Sequence, residues 1–130
     1  MKVRMGMIGG GEGSLIGPVH RMAARLDGMA KLVCGAFSSD PAVSHVTAAR
    51  EGIPASRIYD TWQELIQQES IMPEGTKPHF ITIATPNHLH YGPAKMALEA
   101  GFHVICDKPL CISLSEAKDL QETVQRTERL

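Results

Sequence analysis

The sequence lacks a charge excess, a long apolar segment and a paired set of cysteines. Its 13 lysines and arginines nearly balance 14 aspartates and glutamates, so the formal net charge is -1. This balance gives no electrostatic reason to expect a nucleic acid or an anionic membrane as a partner. No segment approaches the roughly 20 apolar residues that cross a bilayer.

The amino terminus has the early cations of a signal peptide but not its apolar core. The short apolar stretch after Lys2 and Arg4 runs into glycines and Glu12 instead of a cleavage site. We therefore expect a soluble, cytoplasmic protein.

The cysteines, at positions 34, 106 and 111, are odd in number and lack metal-ligand spacing, which predicts reduced thiols. His88 and His90 are spaced too closely to share a helical face, so we predict no metal site.

A glycine-rich stretch, Gly9 to Gly17, follows the first apolar run and precedes a helical pattern. Glycines let backbone N–H groups approach a pyrophosphate closely, and the amino terminus of the following helix favours negative charge. The stretch is therefore a candidate phosphate-binding loop. Because glycine-rich loops are common, this interpretation depends on the segments that follow.

The rest of the chain alternates apolar runs with helical patterns, as in a single α/β domain. We predict strands at residues 3–8, 32–37, 58–59, 80–84 and 102–106, each followed by a helix. Capping patterns place helix starts after Asp40, Thr61 and Ser113. In the first helix, apolar residues recur at helical spacing at Val19, Met22, Ala23 and Leu26, and in the second, one face carries Ala42, Val46 and Ala49.

This alternation predicts a Rossmann-type, doubly wound parallel sheet with right-handed crossovers and the strand order 3-2-1-4-5. Ligands bind such sheets outside the carboxyl ends of the strands, where the strand order reverses. Three segments reach that place. They are the glycine loop, Thr85-Pro86-Asn87-His88-Leu89-His90 after the fourth predicted strand, and Asp107-Lys108-Pro109 after the fifth.

Together these segments resemble the glucose–fructose oxidoreductase / inositol dehydrogenase / MocA family of NAD(P)-dependent oxidoreductases, over nearly the whole chain. Members of this family share a glycine loop, a helix with an early histidine (here His20), a Thr-Pro-Asn-x-x-His segment and a Glu-Lys-Pro segment, in this order. The first motif is intact as Thr85, Pro86, Asn87 and His90, whereas Asp107 replaces the glutamate before Lys108 and Pro109.

The resemblance implies NAD or NADP as the cofactor. The implied cofactor-binding residues are Gly9, Gly11, Glu12, Gly13, Ser14, Leu15, Ser38, Ser39, Thr85, Pro86, Asn87, His90, Asp107, Lys108 and Pro109. It also implies that Lys108 is catalytic, lying near the nicotinamide and bonding the reacting hydroxyl, where partial burial would suit it to acid–base chemistry. Asn87 and His90 are expected at the nicotinamide-side ribose, although Asn87 is equally suited to cap a helix.

Two features depart from the family pattern. The usual G-x-G-x-x-G is expanded, with Gly17 delayed until three residues before His20, which resembles a subset of sugar dehydrogenases. At the end of the second strand, Ser38 and Ser39 replace the acid that binds the adenosine ribose. Without the acid, the 2′-phosphate of NADP is repelled less, but no nearby arginine favours its binding. Asp40 is suited either to bind the ribose or to cap the next helix.

In the family, a second α/β domain supplies the substrate pocket, the usual catalytic histidine and the oligomer interface, and a sixth strand follows the last helix. We therefore interpret residues 1–130 as an NAD(P)-binding domain truncated before that strand. The complete enzyme would oxidise a secondary hydroxyl of a sugar, polyol or related small molecule, and we expect the fragment alone to be inactive. Its open sheet edge would permit homo-oligomer formation.

The alternative is a stand-alone dinucleotide-binding module that senses or regulates without catalysis. Such a module would bind NAD(P) with useful affinity unaided and would change its assembly or partner when the ligand binds.

Overall fold

The computed structural model describes residues 1–130 as strands that alternate with helices. The strands are β1 (Val3–Gly9), β2 (Ala30–Ala36), β3 (Phe80–Ala84) and β4 (His103–Cys106). The α-helices are α1 (Gly17–Arg25), α2 (Pro41–Glu51), α3 (Trp62–Ser70), α4 (Tyr91–Glu99) and α5 (Leu114–Thr127). Two short 3-10 helices cover Ala55–Arg57 and Asn87–Leu89.

The four strands form one parallel sheet in the order β2-β1-β3-β4. The chain moves outward from β1 to β2, then returns to pair β3 with the other edge of β1. The strand order therefore reverses between β1 and β3, whose carboxyl ends meet where Gly9 pairs with Ala84. This confirms the Rossmann-type parallel sheet and places its ligand crevice beside the glycine loop.

The predicted third strand is not formed, so the five-strand order is corrected to four strands. Residues 58–59 make a single parallel bridge, between Gly35 and Ile58, and the Tyr59 N–H donates to the Gly35 carbonyl at 2.9 Å. Two apolar residues between Arg57 and Asp60 are too few to build a ladder.

The apolar residues at helical spacing in the first two helices are not the buried ones. In α1 the buried residues are Gly17 and Arg21, while Met22 and Leu26 are exposed. In α2 the buried residues are Ser44, Thr47 and Ala48. Both helices pack partly against the backbone of the glycine loop and the end of β2, which favours small and hydrogen-bonding residues over large apolar ones.

Other predictions of local structure are confirmed. Asp40, Thr61 and Ser113 each accept a backbone N–H bond that caps α2, α3 or α5. The three cysteines are free thiols, and burial, followed by the negative charge of Glu69, raises the pKa of Cys34 well above its usual range.

The outer edge of β4 is partly paired within the chain. The Val104 N–H donates to the Leu130 carbonyl at 2.7 Å, and the Leu130 N–H donates to His103 Nδ1 at 3.0 Å. The expected open edge is therefore closed at its beginning, while Ile105 remains 49% exposed.

None of the helices combines the length and hydropathy that a bilayer crossing requires.

A buried carboxylate holds the segment that replaces the predicted third strand. Glu69 of α3 is fully buried and accepts bonds from Arg57 Nε at 3.0 Å and from the Tyr59 hydroxyl at 2.8 Å. Arg57 Nη2 contacts the second oxygen of the same carboxylate. Burial, then the bond to Glu69 and its charge, raise the pKa of Tyr59, so the phenol stays a donor.

We predict that Glu69→Gln lowers the free energy of unfolding by about 3 kcal/mol, because it leaves a partly buried Arg57 without its charge partner. Urea titration followed by circular dichroism measures the change. Glu74→Gln is the control, since Glu74 pairs with Lys77 while its side chain is 86% exposed, and it should change stability by less than about 0.5 kcal/mol. Equal losses in both variants would contradict the prediction.

Candidate cofactor-binding site

A cleft opens at the carboxyl ends of β1, β2 and β3. Its walls are residues 8–12 and 14 of the glycine loop, residues 36–39 and 43 after β2, residues 60–63 at the start of α3, and residues 84–86, 88 and 89 after β3. The cleft therefore lies at the reversal of strand order, where the sequence placed a ligand site.

The glycine loop has a backbone that only glycines allow. Gly9, Gly10 and Gly13 have φ angles of 75°, 70° and 82°, a region that side chains with a Cβ rarely enter. A Cβ on Gly17 would lie 2.1 Å from the Gly10 carbonyl oxygen. The loop and the beginning of α1 thus touch backbone to backbone.

Arg21, one turn further along α1, locks this contact. It is 7% exposed, and its Nη1 donates to the Gly10 carbonyl at 2.5 Å. Its Nε pairs with Glu51 of α2 at 2.9 Å. One buried guanidinium therefore ties the glycine loop to both α1 and α2. Arg21 lies four residues after Gly17 and therefore on the same face of α1. This spacing was the signal in the sequence that could have placed Arg21 beside the loop.

Glu12 follows the loop glycines and lines the cleft beside them. Its N–H donates to Thr47 Oγ1 at 2.8 Å, and its carboxylate contacts Arg50 Nη1. Arg50 thus partly neutralises this carboxylate at the edge of the cleft. Gly13 and Leu15, by contrast, are exposed and do not line the cleft.

The segment after β2 provides two uncharged polar residues to the cleft, Ser38 and Ser39. Ser38 Oγ accepts from the Asp40 N–H at 3.1 Å, and Asp40 Oδ1 accepts from the Ala42 N–H at 2.9 Å. Asp40 does not line the cleft, so its observed role is the helix cap.

His90 joins the segment after β3 to the Asp107-Lys108-Pro109 segment from inside the protein. It is 1% exposed, with Nδ1 at 2.6 Å from the Pro109 carbonyl and Nε2 at 2.9 Å from the Thr85 carbonyl. The structure therefore gives it a linking role and does not expose it to the cleft, where a ribose contact was expected. Asn87 is exposed and begins a 3-10 helix without a side-chain cap, so the alternative capping role is not formed.

The Asp107-Lys108-Pro109 segment follows β4 directly. The Asp107 N–H donates to the Ile83 carbonyl at 3.0 Å, and its carboxylate lies 3.6 Å from His20 Nε2. Lys108 is exposed, unlike the partly buried lysine that the resemblance implied. Burial, and then the charge of Asp107, raise the pKa of the neighbouring Cys106 to about 11, so this thiol is unsuited to nucleophilic chemistry.

The structure brings most of the predicted residues to one edge of the sheet, but only some of them to the cleft. Those that line it are Gly9, Gly11, Glu12, Ser14, Ser38, Ser39, Thr85 and Pro86. Sequence reasoning missed Asp60, Thr61, Trp62 and Gln63, which form the opposite wall. Their signal was the capping box at Thr61, because a helix that starts next to a strand end faces the same crevice.

Residues 3–130 match the family described as an oxidoreductase family with an NAD-binding Rossmann fold. An uncharacterized oxidoreductase, YfiI of Bacillus subtilis, is 36% identical over 125 residues, which are 95% of this chain and 31% of that protein. Levoglucosan dehydrogenase of Pseudarthrobacter phenanthrenivorans is 32% identical over 130 residues, covering 95% of this chain and 30% of that enzyme.

A solved structure has the same arrangement. An inositol dehydrogenase homologue from Azotobacter vinelandii, complexed with NADH and myo-inositol, superposes with a TM-score of 0.94 and is 39% identical. The superposition covers 99% of this chain and 34% of that one. The chain thus spans about one third of the length of these relatives.

We predict that Gly17→Ala separates α1 from the glycine loop, because its Cβ would overlap the Gly10 carbonyl. The unfolding free energy should fall by about 1–3 kcal/mol, and dinucleotide affinity should fall with it. Gly75→Ala is the control, since a Cβ there meets nothing within 4 Å. Thermal melts and calorimetric titration measure both effects, and unchanged values for Gly17→Ala would refute the packing.

His90 and His88 form a second natural comparison, because one is buried and the other is exposed. We predict that His90→Asn lowers the unfolding free energy by about 1–3 kcal/mol, since the shorter side chain cannot reach both the Thr85 and Pro109 carbonyls and removes the ring N–H that donates to one of them. His88→Asn should change it by less than about 0.5 kcal/mol. Chemical denaturation compares the two variants, and a similar loss for both would contradict the linking role.

Proposed function

The chain belongs to the Gfo/Idh/MocA oxidoreductase family with an NAD-binding Rossmann fold, and from this premise we propose that it is the cofactor-binding domain of an NAD(P)-dependent dehydrogenase. Its complete form would oxidise a secondary hydroxyl of a sugar, polyol or related small molecule. The observation that carries the proposal is the cleft at the reversal of strand order, walled by the glycine loop and the Thr85-Pro86 segment.

The cleft residues fit a nicotinamide dinucleotide. A Cβ on Gly9 or Gly11 would lie 2.7 or 2.8 Å from a backbone oxygen, so the loop is built for glycine alone. The pyrophosphate would lie against this loop at the amino terminus of α1, whose dipole favours negative charge. Ser38 and Ser39 would face the adenosine ribose, because that ribose binds at the end of the second strand in folds of this type.

Once bound, the nicotinamide supplies the hydride acceptor or donor. Lys108 would orient the reacting hydroxyl and exchange its proton, with its position set by the Pro109 carbonyl contact to His90. Its exposure fits a group that meets the substrate at the surface of this domain. Asp107 and His20 would flank it, since their side chains are 3.6 Å apart.

The substrate class comes from relatives rather than from this cleft. The similar proteins include levoglucosan dehydrogenase and an inositol dehydrogenase homologue, which are named for carbohydrate and polyol substrates. Because the chain spans about one third of those proteins, we propose that the substrate pocket belongs to a further domain. The 130 residues alone would then bind cofactor without turnover.

We predict saturable binding of NADH or NADPH to the 130-residue chain, measured by calorimetry and by quenching of Trp62. This tryptophan is the single one in the sequence and lines the cleft. Trp62→Phe should lose the fluorescence change but keep the heat of binding. The chain mixed with NAD and myo-inositol should produce no NADH absorbance. Absence of saturable binding for both dinucleotides would overturn the assignment.

A further inference from the structure

The cleft contains two carboxylates and the imidazole of His88, but no lysine or arginine. Glu12 comes from the glycine loop and Asp60 from the segment before α3. NADP differs from NAD by a 2′-phosphate on the adenosine ribose, a group with about two negative charges at pH 7. Which dinucleotide binds therefore depends on the charges around that ribose.

Backbone contacts hold Glu12 against the end of β2, where the ribose of a dinucleotide is bound in such folds. The Gly11 N–H donates to the Phe37 carbonyl at 3.0 Å, and the Glu12 N–H donates to Thr47 Oγ1 at 2.8 Å. Ser38 and Ser39 follow Phe37 directly and are uncharged. Glu12 thus brings a carboxylate from the loop to the place where the serines replace an acid.

Arg50 of α2 sets the direction of this carboxylate. The two side chains are in contact, yet Glu12 stays 46% exposed and Arg50 stays 64% exposed. An ionised carboxylate has about four acceptor positions, so the pair leaves Glu12 free to accept from a ribose hydroxyl. A 2′-phosphate would instead be repelled by the Glu12 carboxylate, and it could reach Arg50 only by breaking the contact between Arg50 and Glu12.

We propose that Glu12, oriented by Arg50, makes the cleft selective for NAD over NADP. Its carboxylate accepts the ribose 2′-hydroxyl of NAD and repels the 2′-phosphate of NADP. The inference rests on the proposed function, since it concerns the same cleft and the same class of ligand. It assigns the selectivity to a residue of the expanded glycine loop.

The test is calorimetric titration of NADH and NADPH into the wild type, Glu12→Gln, Arg50→Gln and the double variant. The wild type should bind NADH more tightly. Glu12→Gln should raise NADPH affinity about tenfold, because the repulsion disappears and Arg50 is released, and it should weaken NADH binding. Arg50→Gln should bind NADPH more weakly than the wild type does. The double variant should gain less NADPH affinity than Glu12→Gln alone.

Glu99→Gln is a matched control. Glu99 pairs with Arg126 at 2.8 Å between α4 and α5, with side chains 41% and 62% exposed, and neither residue lines the cleft. This variant should leave the NADH to NADPH affinity ratio unchanged. Asp60→Asn examines the second carboxylate of the cleft and should change the ratio less than Glu12→Gln does. Since the Glu12 bond to Thr47 uses the backbone N–H, we expect Glu12→Gln to keep the wild-type melting temperature.

The inference is overturned if the wild type binds NADPH at least as tightly as NADH, or if Glu12→Gln leaves their affinity ratio unchanged. A larger change in Asp60→Asn would overturn it too, because selectivity would then belong to the opposite wall. Binding of neither dinucleotide to any variant is a different result, which would overturn the proposed function and this inference with it.

Discussion

The backbone of α1 rests directly on the backbone of the glycine loop, and this contact determines the geometry of the whole cleft. Gly17 has no Cβ to keep α1 away from Gly10, and the buried Arg21 donates to the Gly10 carbonyl from the next turn. Arg21 also pairs with Glu51, so α2 is drawn toward the same loop. At this point, polar contacts of Arg21 join α1 to the loop and to α2.

The far side of the site depends on a second buried polar group. His90 bridges the Thr85 and Pro109 carbonyls, so the segments that follow β3 and β4 are held at a set spacing. Lys108 lies between these anchored residues, next to Pro109 in the chain, while its own side chain remains exposed. The backbone on both sides of Lys108 is therefore held, at Asp107 by the Ile83 carbonyl and at Pro109 by His90.

Sequence patterns predicted the parallel sheet, three capped helices and the common sheet edge at which the glycine loop and the segments after β3 and β4 lie. These features depend on local signals: apolar runs, N-cap residues and glycines that follow strands. The missing third strand and the small and polar residues buried in α1 and α2 have a different origin. Tyr59 and Arg57 are held by the buried Glu69 of α3, and Arg21 is buried by a contact to the loop backbone. These long-range polar contacts have no periodicity, so no pattern along the chain reveals them.

By itself, the sequence determined where the strands end, which loop lacks side chains, and therefore which edge of the sheet receives a ligand. It also identified the residues that resemble a dinucleotide-binding family. The tertiary structure decided which of them face the cleft. It turned His90 inward, used Asp40 as a helix cap, and set Glu12 beside Arg50 and Thr47 of α2. The physical reason is that strand ends and turns are chosen by local backbone preferences. The direction of a polar side chain is chosen by partners that folding brings from distant parts of the chain.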